Sequence, residues 1–257
     1  MMSDRQREFR QKYQAQISPW YNGYVHISVM YAVGLAVIGW CLAHLQFATW
    51  EWLLVVPVFV LSNGFEWWIH KFVMHRLVDR FALRAIYDRH TRQHHQYFTH
   101  QEMTVNSARE FRIVFFPWRA LVTFMALGAP FALLLGWLIN PAAAYILMVT
   151  IVGQYLIYET FHYSCHVPEN RWLRHLPCVN TIRRHHAAHH HHGLMMERNM
   201  NLTFPIADWF MGTSDLNRGL LGHLFNGYSE RWIKPELRPA QERASAEVER
   251  PTPTAED

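Results

Sequence analysis

The chain has 257 residues, of which 51% are hydrophobic, 15% aromatic and 17% charged, and its formal net charge is +4. An ordinary soluble domain carries about 25% charged residues, so this composition favours a membrane protein. The basic residues form no stripe with nucleic-acid motifs, which argues against nucleic-acid binding. Three cysteines without CxxC spacing exclude a disulfide framework. The polar start, MMSDRQREFRQKYQ, predicts no signal peptide.

Four apolar segments, 25–45, 52–69, 120–139 and 141–161, are long enough to cross a membrane, which takes about 17 to 25 residues. The second carries one acid, Glu66, and the fourth carries one, Glu159. The alternative is a set of buried helices in a soluble core. Aromatic residues at the segment borders, which are typical of membrane interfaces, favour the membrane interpretation; they are Trp20, Tyr21, Tyr24, Trp50, Trp52 and Trp118.

All 24 Lys and Arg residues lie in the N-terminal segment, between Lys71 and Arg119, or from Arg171 onward. The positive-inside rule places these three regions on the cytoplasmic side. The sequence therefore predicts an all-α integral membrane protein with four transmembrane helices in two hairpins and a cytoplasmic, histidine-rich helical cap. The predicted parts are a cytoplasmic N-terminal segment (1–24), the transmembrane region (25–163), a catalytic cap (164–236) and a disordered tail (237–257). The first histidine motifs lie in the 70–112 loop.

Eleven of the 18 histidines fall in four short motifs, HKFVMH, HTRQHH, HYSCH and HHAAHH. Ten of them are the predicted ligands: His70, His75, His90, His94, His95, His162, His166, His186, His189 and His190. Histidine is the commonest metal ligand, and ten ligands exceed what one ion can hold, so two metal ions are predicted. The ligand type leaves zinc, copper, iron and nickel open.

Spacing predicts how the imidazoles converge, because helical positions three or four apart share one face. His90 and His94 form such a pair, as do His162 and His166, while His186 precedes His189 and His190 by three and four. His70 and His75 are five apart, about 140° around an ideal helix. These two can converge only if the helix ends or unwinds between them.

Glu66 lies four residues before His70, and Glu159 lies three before His162. An ionisable side chain within a membrane is costly and marks a candidate functional site. Each carboxylate can accept the second ring N–H of a ligating histidine and fix its tautomer. The alternative is that both acids lie in the wet interface.

The run GFEWWIHKFVMH, the motif HYSCH, and HHAAHH followed by NMNLTFPIADWFMGT resemble the fatty acid hydroxylase/sterol desaturase superfamily. The pattern is closest to the fatty-acid 2-hydroxylases, and the resemblance covers 62–213. It implies that all ten histidines bind two iron ions, with O2 as co-substrate; recombinant members can carry zinc instead. HTRQHH departs by having three residues before its His pair, where the 2-hydroxylases typically have two. The last motif contains more histidines than the family pattern requires, so His185 is an alternative ligand.

The resemblance implies an O2-dependent hydroxylase that attacks a C–H bond of a fatty acyl chain or related membrane lipid. A desaturase using the same centre is an alternative, and a non-enzymatic zinc transport or storage protein is another. The implied partners are a membrane lipid and an external electron donor of the cytochrome b5, ferredoxin or reductase type, since no flavin or dinucleotide fingerprint is present. Arg76, Arg80, Arg84, Arg171 and Arg174 can dock such a donor, or simply reflect topology and contact with lipid headgroups.

Overall fold

The computed structural model describes residues 2–45, 49–176 and 178–238. Within these ranges the chain is helical and contains no β-strand, which confirms the predicted all-α class. The described α-helices are α1 (Asp4–Ala15), α2 (Gly23–Ala43), α3 (Val55–Ile69), α4 (Phe81–Arg89), α5 (His95–Tyr97), α6 (Phe111–Val114), α7 (Trp118–Leu138), α8 (Pro141–Cys165), α9 (Arg171–His175), α10 (Val179–His189), α11 (Ile206–Phe210) and α12 (Leu220–Leu224). Short 3-10 turns occur at Trp50–Leu54, Ala108–Glu110 and Pro235–Leu237, and π-helical turns at His70–Met74 and His90–His94.

Four described segments are long and apolar enough to cross a membrane. They are Gly23–Ala43 (α2), Trp50–Met74 (α3 with the turns on either side), Ala108–Leu138 (α7 with α6 and the turn before it) and Pro141–Cys165 (α8). They coincide with the four predicted segments, although α8 continues to Cys165 and carries His162 inside its last turn. Their outward faces are apolar: Leu61 is 73% exposed, Leu133 74% and Trp137 80%. Helices that are apolar on their outer faces suit lipid rather than water. The chain is therefore consistent with a multi-pass membrane protein.

The caps of the long helices follow from local sequence. The side chain of Asn22 accepts hydrogen bonds from the first N–H groups of α2, and Asn140 does the same for α8, where Pro141 takes the first helical position. Helix α8 packs against α2, α3 and α7. Since α2 and α7 begin where α3 and α8 end, all the histidine motifs come to one end of the bundle. At the opposite end, Asn140 Nδ2 donates to Glu51 Oε1 at 2.7 Å.

The N-terminal segment, predicted only as a cytoplasmic stretch, forms α1 and packs against the chain that follows His95. Tyr13 and Ile17 are buried in the same apolar cluster as Tyr97 and Phe98. Most of the predicted disordered tail, from 239 onward, lies outside the described residues. Its first residue does not fit the prediction, because Leu237 is buried against Leu194, Leu216 and Ile233.

One glycine sets the position of α2. A Cβ atom on Gly23 would lie 1.9 Å from the carbonyl oxygen of Ala108, whereas a Cβ on Gly39 of the same helix meets nothing within 4 Å. We expect Gly23→Ala to displace the start of α2 and to lower the free energy of unfolding by about 1–3 kcal/mol, the usual cost of overpacking. Thermal unfolding of the purified protein in detergent measures it. Gly39→Ala is the matched control, and equal melting temperatures for the two variants would contradict the expectation.

Candidate metal centre

The structure brings all ten predicted histidines together at the end of the bundle, and each is at most 4% exposed. They form two adjoining groups. The first histidine group contains His70, His75, His90, His95 and His189, and the second contains His94, His166, His186 and His190. In each group the ligand atoms lie within 4.8 Å of one another. His162 adjoins the second group, with its Nε2 3.2 Å from Nε2 of His94, and is counted with it below.

Two π-helical turns explain how ligands five residues apart converge. The turn His70–Met74 widens the end of α3, and Nε2 of His75 comes to lie 3.2 Å from Nε2 of His70. The turn His90–His94 likewise places Nε2 of His95 3.1 Å from that of His90. A π-turn closes its hydrogen bond between residues five apart and is frequent at functional sites. The sequence indicated that the helix must end or unwind between His70 and His75. In the structure the helix instead continues and widens into a π-turn.

This local geometry corrects two predicted pairings. His90 and His94 were expected to face one point, but His90 joins the first group and His94 the second. His189 was expected to join His186 and His190, yet its Nε2 lies 3.0 Å from Nε2 of His75 in the first group. The i,i+4 pair His186 and His190 does converge, with Nε2 atoms 3.0 Å apart. Motifs two and four thus each contribute ligands to both groups.

The donor set fits metal ions. Neighbouring Nε2 atoms within the two groups lie 2.9 to 3.2 Å apart. Ligands about 2.1 Å from one ion and at right angles to each other are about 3 Å apart, so this spacing is that of a shared coordination sphere. Five imidazoles around one point exceed the four ligands of a structural zinc site. The buried histidine groups can therefore each hold a metal ion.

In five of these histidines the second ring nitrogen is oriented by a backbone carbonyl group. Nδ1 of His190 donates to Phe98 O at 2.8 Å, that of His166 to Met103 O at 2.8 Å, and that of His189 to Arg198 O at 2.9 Å. His70 makes the same bond to Met200 O, and His94 to Ile113 O. A proton fixed on Nδ1 leaves the lone pair of Nε2 directed into the group, which is the arrangement that metal-binding histidines need.

Burial also keeps these imidazoles uncharged. For the histidines that lie outside the membrane spans, burial lowers the pKa well below the ordinary value, and the neighbouring imidazoles lower it further. These histidines are His75, His90, His94, His95, His166, His186, His189 and His190. A neutral imidazole is the form that binds a metal ion, so the site is in the correct protonation state near neutral pH.

Neither predicted carboxylate forms a hydrogen bond with a histidine among the described residues. Glu66 accepts hydrogen bonds from the N–H groups of Leu202 and Thr203 and from Thr203 Oγ1. Glu159 Oε1 accepts from Tyr155 Oη at 2.7 Å and from the N–H of Phe116 at 3.1 Å. Both acids are buried in the protein rather than in the wet interface. The expected contact with a ring N–H is wrong; Glu66 instead anchors the segment whose Met200 carbonyl orients His70.

His185, the alternative ligand, belongs to neither group. Its Nε2 lies 3.0 Å from Asp208 Oδ2, and Asp208 also accepts the N–H groups of Met200 and Asn201. Burial raises the pKa of Asp208, but the hydrogen bonds from His185 and its other donors outweigh this effect, and the pKa lies below its ordinary value. His185 and Asp208 thus support the Met200 carbonyl rather than a metal ion.

Several buried polar residues that matter to the site were not predicted. Arg10 and Gln6 of α1 contact the chain that follows His95. Asn63 accepts from the N–H of Ala207 and donates to Phe204 O, which holds the 199–208 segment against α3. A polar residue within an apolar segment is the signal that could have identified Asn63. Arg10 gave no such signal, because polar residues are common in any exposed helix.

The basic residues considered for docking a partner lie at the surface, and several are already paired. The side chain of Arg76 is 54% exposed and lies 3.9 Å from Glu197. Arg84 pairs with Asp79 and Asp88, and Arg174 with Glu169. These ion pairs reduce the positive charge of the surface, so simple charge attraction to an acidic protein is weaker than the sequence indicated.

An apolar cavity of about 710 Å³ lies between α3, α7 and α8. Leu61, Phe131, Leu134 and Ile151 are among the residues that line it, and it reaches His70 of the first histidine group. It follows α3 from Pro57 to His70, a distance of about 20 Å at 1.5 Å per residue. One leaflet of a bilayer has an apolar thickness of about 15 Å. The cavity therefore has the length and lining to hold a lipid tail beside the metal centre.

Comparisons with known protein families, with curated proteins and with solved structures give no match to this chain.

Proposed function

We propose that this protein is a di-iron, O2-dependent hydroxylase that acts on a C–H bond of a fatty acyl chain or related membrane lipid. The observation that carries the proposal is the position of His70, which belongs to the first histidine group and also lines the apolar cavity between the membrane helices. A lipid tail in the cavity would lie against the metal centre. The motif resemblance to the fatty acid hydroxylase/sterol desaturase superfamily supports the same conclusion.

The ten histidines would hold the two ions, which when bound supply the O2 activation that an unactivated C–H bond requires. The balanced reaction converts C–H, O2, two electrons and two protons to C–OH and water. The chain's own residues bind and orient the substrate. The cavity walls formed by Leu61, Phe131 and Ile151 hold the tail and exclude water, and Nδ1 bonds such as that of His70 keep the ligand nitrogens directed at the ions.

The two electrons must come from a separate protein of the cytochrome b5, ferredoxin or reductase type. We place the histidine end of the bundle, with α1 and the basic residues around α4 and α9, on the cytoplasmic side, in accordance with the positive-inside rule. Iron is favoured over zinc because five donors surround the first position, and because zinc has no redox chemistry. A zinc transporter would need a polar path, whereas the cavity beside the first group is apolar.

The test is expression in a host followed by mass spectrometry of total lipids, with Ser62→Trp as the informative variant. Ser62 lines the cavity one turn before Glu66, so an indole there should occupy the space of the tail. We expect wild-type protein to yield lipids with one added oxygen, and Ser62→Trp to bind the same two metal ions but lose at least tenfold in product.

The control is Val60→Trp, since Val60 is 48% exposed on the same helix and does not line the cavity. It should retain product. A lipid product that has lost two hydrogens instead of gaining one oxygen would show that the reaction is desaturation rather than hydroxylation. Metal-dependent transport into vesicles without O2 consumption would overturn the enzymatic proposal, and equal product from both tryptophan variants would overturn the role of the cavity.

A further inference from the structure

The N-terminal helix α1 lies outside the membrane spans and holds the loop 97–104 through a buried arginine. Arg10 is 4% exposed. Its guanidinium donates to Tyr97 O at 2.8 Å, to Glu102 O at 2.9 Å and to Thr104 O at 3.1 Å. One side chain thus binds carbonyl groups at both ends and near the middle of this loop.

Gln6, one turn earlier on α1, makes a second set of bonds to the same loop. Its Nε2 donates to Tyr97 O and Glu102 O, each at 2.9 Å, and its Oε1 accepts from Thr99 Oγ1 at 2.9 Å. Tyr13 adds an edge-to-face contact with the ring of Tyr97. Because the bonds of Arg10 and Gln6 to Tyr97 O are buried and those to Glu102 O and Thr104 O are partly buried, breaking them leaves carbonyl groups poorly satisfied, so the loop conformation depends on α1.

The loop held in this way orients two histidines of the second group. Its Phe98 carbonyl accepts from Nδ1 of His190, and its Met103 carbonyl accepts from Nδ1 of His166, both at 2.8 Å. The Phe98 ring also contacts two of these side chains: its centroid lies 5.2 Å from the Arg10 guanidinium carbon and 4.1 Å from the centroid of the His166 ring. Arg10 therefore acts on the second group in two ways, through the backbone of the loop that it holds and through the ring of Phe98.

The first histidine group is supported by a different part of the chain. Its His70 and His189 donate to the carbonyls of Met200 and Arg198, and Glu66 and Asp208 hold that segment. None of the described hydrogen bonds of Arg10 or Gln6 reaches it. The carbonyl groups that orient His70 and His189 thus lie in the C-terminal cap, whereas those that orient His166 and His190 lie in the loop that α1 holds.

We propose that Arg10 and Gln6 are positioning residues of the second metal site alone, so that α1 is needed for one of the two metal ions and not for the other. This inference rests on the metal binding proposed above. Loss of a partner that orients a ligating histidine typically weakens metal binding 10- to 100-fold. Methionine at position 10 keeps a long stem but removes every donor, so Arg10→Met should cause a loss of this size at the second site.

The experiment titrates the purified full-length chain with Zn²⁺ against a competing chelator. Wild-type protein should bind two ions, and Arg10→Met should bind one with unchanged affinity and one about 10- to 100-fold more weakly. Arg7→Met is the matched control, because Arg7 lies on the same helix, is exposed and pairs with the exposed Asp4. Arg10→Lys, which retains charge but not the planar fork of donors, should give an intermediate loss.

Two double-alanine variants, each lacking one histidine group, show which site loses metal affinity when Arg10 is replaced. With His75→Ala and His189→Ala the first group is disabled, and Arg10→Met should then weaken the one remaining ion. With His166→Ala and His190→Ala the second group is disabled, and Arg10→Met should change nothing. An equal loss at both sites would indicate general unfolding and overturn the inference, as would wild-type affinity at both. Wild-type protein that binds fewer than two ions would instead refute the proposed centre itself.

Discussion

Replacing His189 with alanine should reduce lipid hydroxylation below detection, and replacing His94 should do the same. The two residues belong to different histidine groups, so each change weakens a different ion, and the proposed chemistry needs both. Each variant should therefore show one weakened metal site while the four membrane helices remain inserted. Lipid mass spectrometry measures product, and metal analysis of the purified protein measures occupancy.

His175→Ala is the control for this pair, because His175 is exposed at the end of α9 and lies in neither group. It should leave product and metal content unchanged. Retained turnover in both His94→Ala and His189→Ala would refute the site. A loss of both ions in either variant would show that the two groups bind metal as one unit rather than separately.

Glu66→Ala should strongly destabilise the protein, although the Glu66 carboxylate forms no described hydrogen bond with a histidine. Its carboxylate accepts hydrogen bonds from two buried N–H groups, those of Leu202 and Thr203, and from the hydroxyl of Thr203. Each buried donor left without an acceptor costs about 1–3 kcal/mol, so we expect a loss of at least about 3 kcal/mol. Thermal unfolding in detergent measures it, and binding at the first histidine group should weaken as the Met200 carbonyl moves.

Glu66→Gln provides the matched comparison. The amide oxygen can accept the two N–H groups. Thr203 Oγ1 already accepts from Asn63 Nδ2 and Gln154 Nε2, which fill both acceptor positions of a hydroxyl, so it cannot also accept from the amide nitrogen and only part of the stability should return. If glutamine destabilises as much as alanine, the charge of Glu66 rather than its hydrogen-bonding capacity is what the 202–203 segment requires.

The sequence predicted the fold and the grouping of the ten histidines well, because both leave strong local signals. Apolar runs such as 25–45 reveal α2, and ten histidines in short motifs reveal the buried groups that could hold metal ions. The assignment of ligands to groups was not predictable, since it depends on whether a turn is α or π. In HTRQHH the π-turn pairs His90 with His95 rather than with His94, and nothing in the intervening residues identifies that turn.

The contacts that orient the histidines could not be predicted from the sequence either. Backbone carbonyls such as Met200 O and Phe98 O have no residue-specific signal, and their place near a histidine depends on tertiary packing. Glu66 was correctly singled out as a costly acid within a membrane segment, but its partner lies 136 residues along the chain. Arg10 forms a helical stripe with Gln6, Tyr13 and Ile17, a mixture of polar and apolar types that hydropathy does not detect.

The π-turn at His90–His94 also bears on which histidine spacings can form one group. In an ordinary α-helix, a motif with two residues before its histidine pair places the first and last histidines four apart on one face. A third intervening residue would rotate the pair by about 100° if the helix stayed regular. Here the wider turn accommodates the third residue, so His90 and His95 share one group and His94 belongs to the other. A π-turn can therefore bring histidines five apart to one point, and a motif search that allows only a spacing of three or four would miss this arrangement.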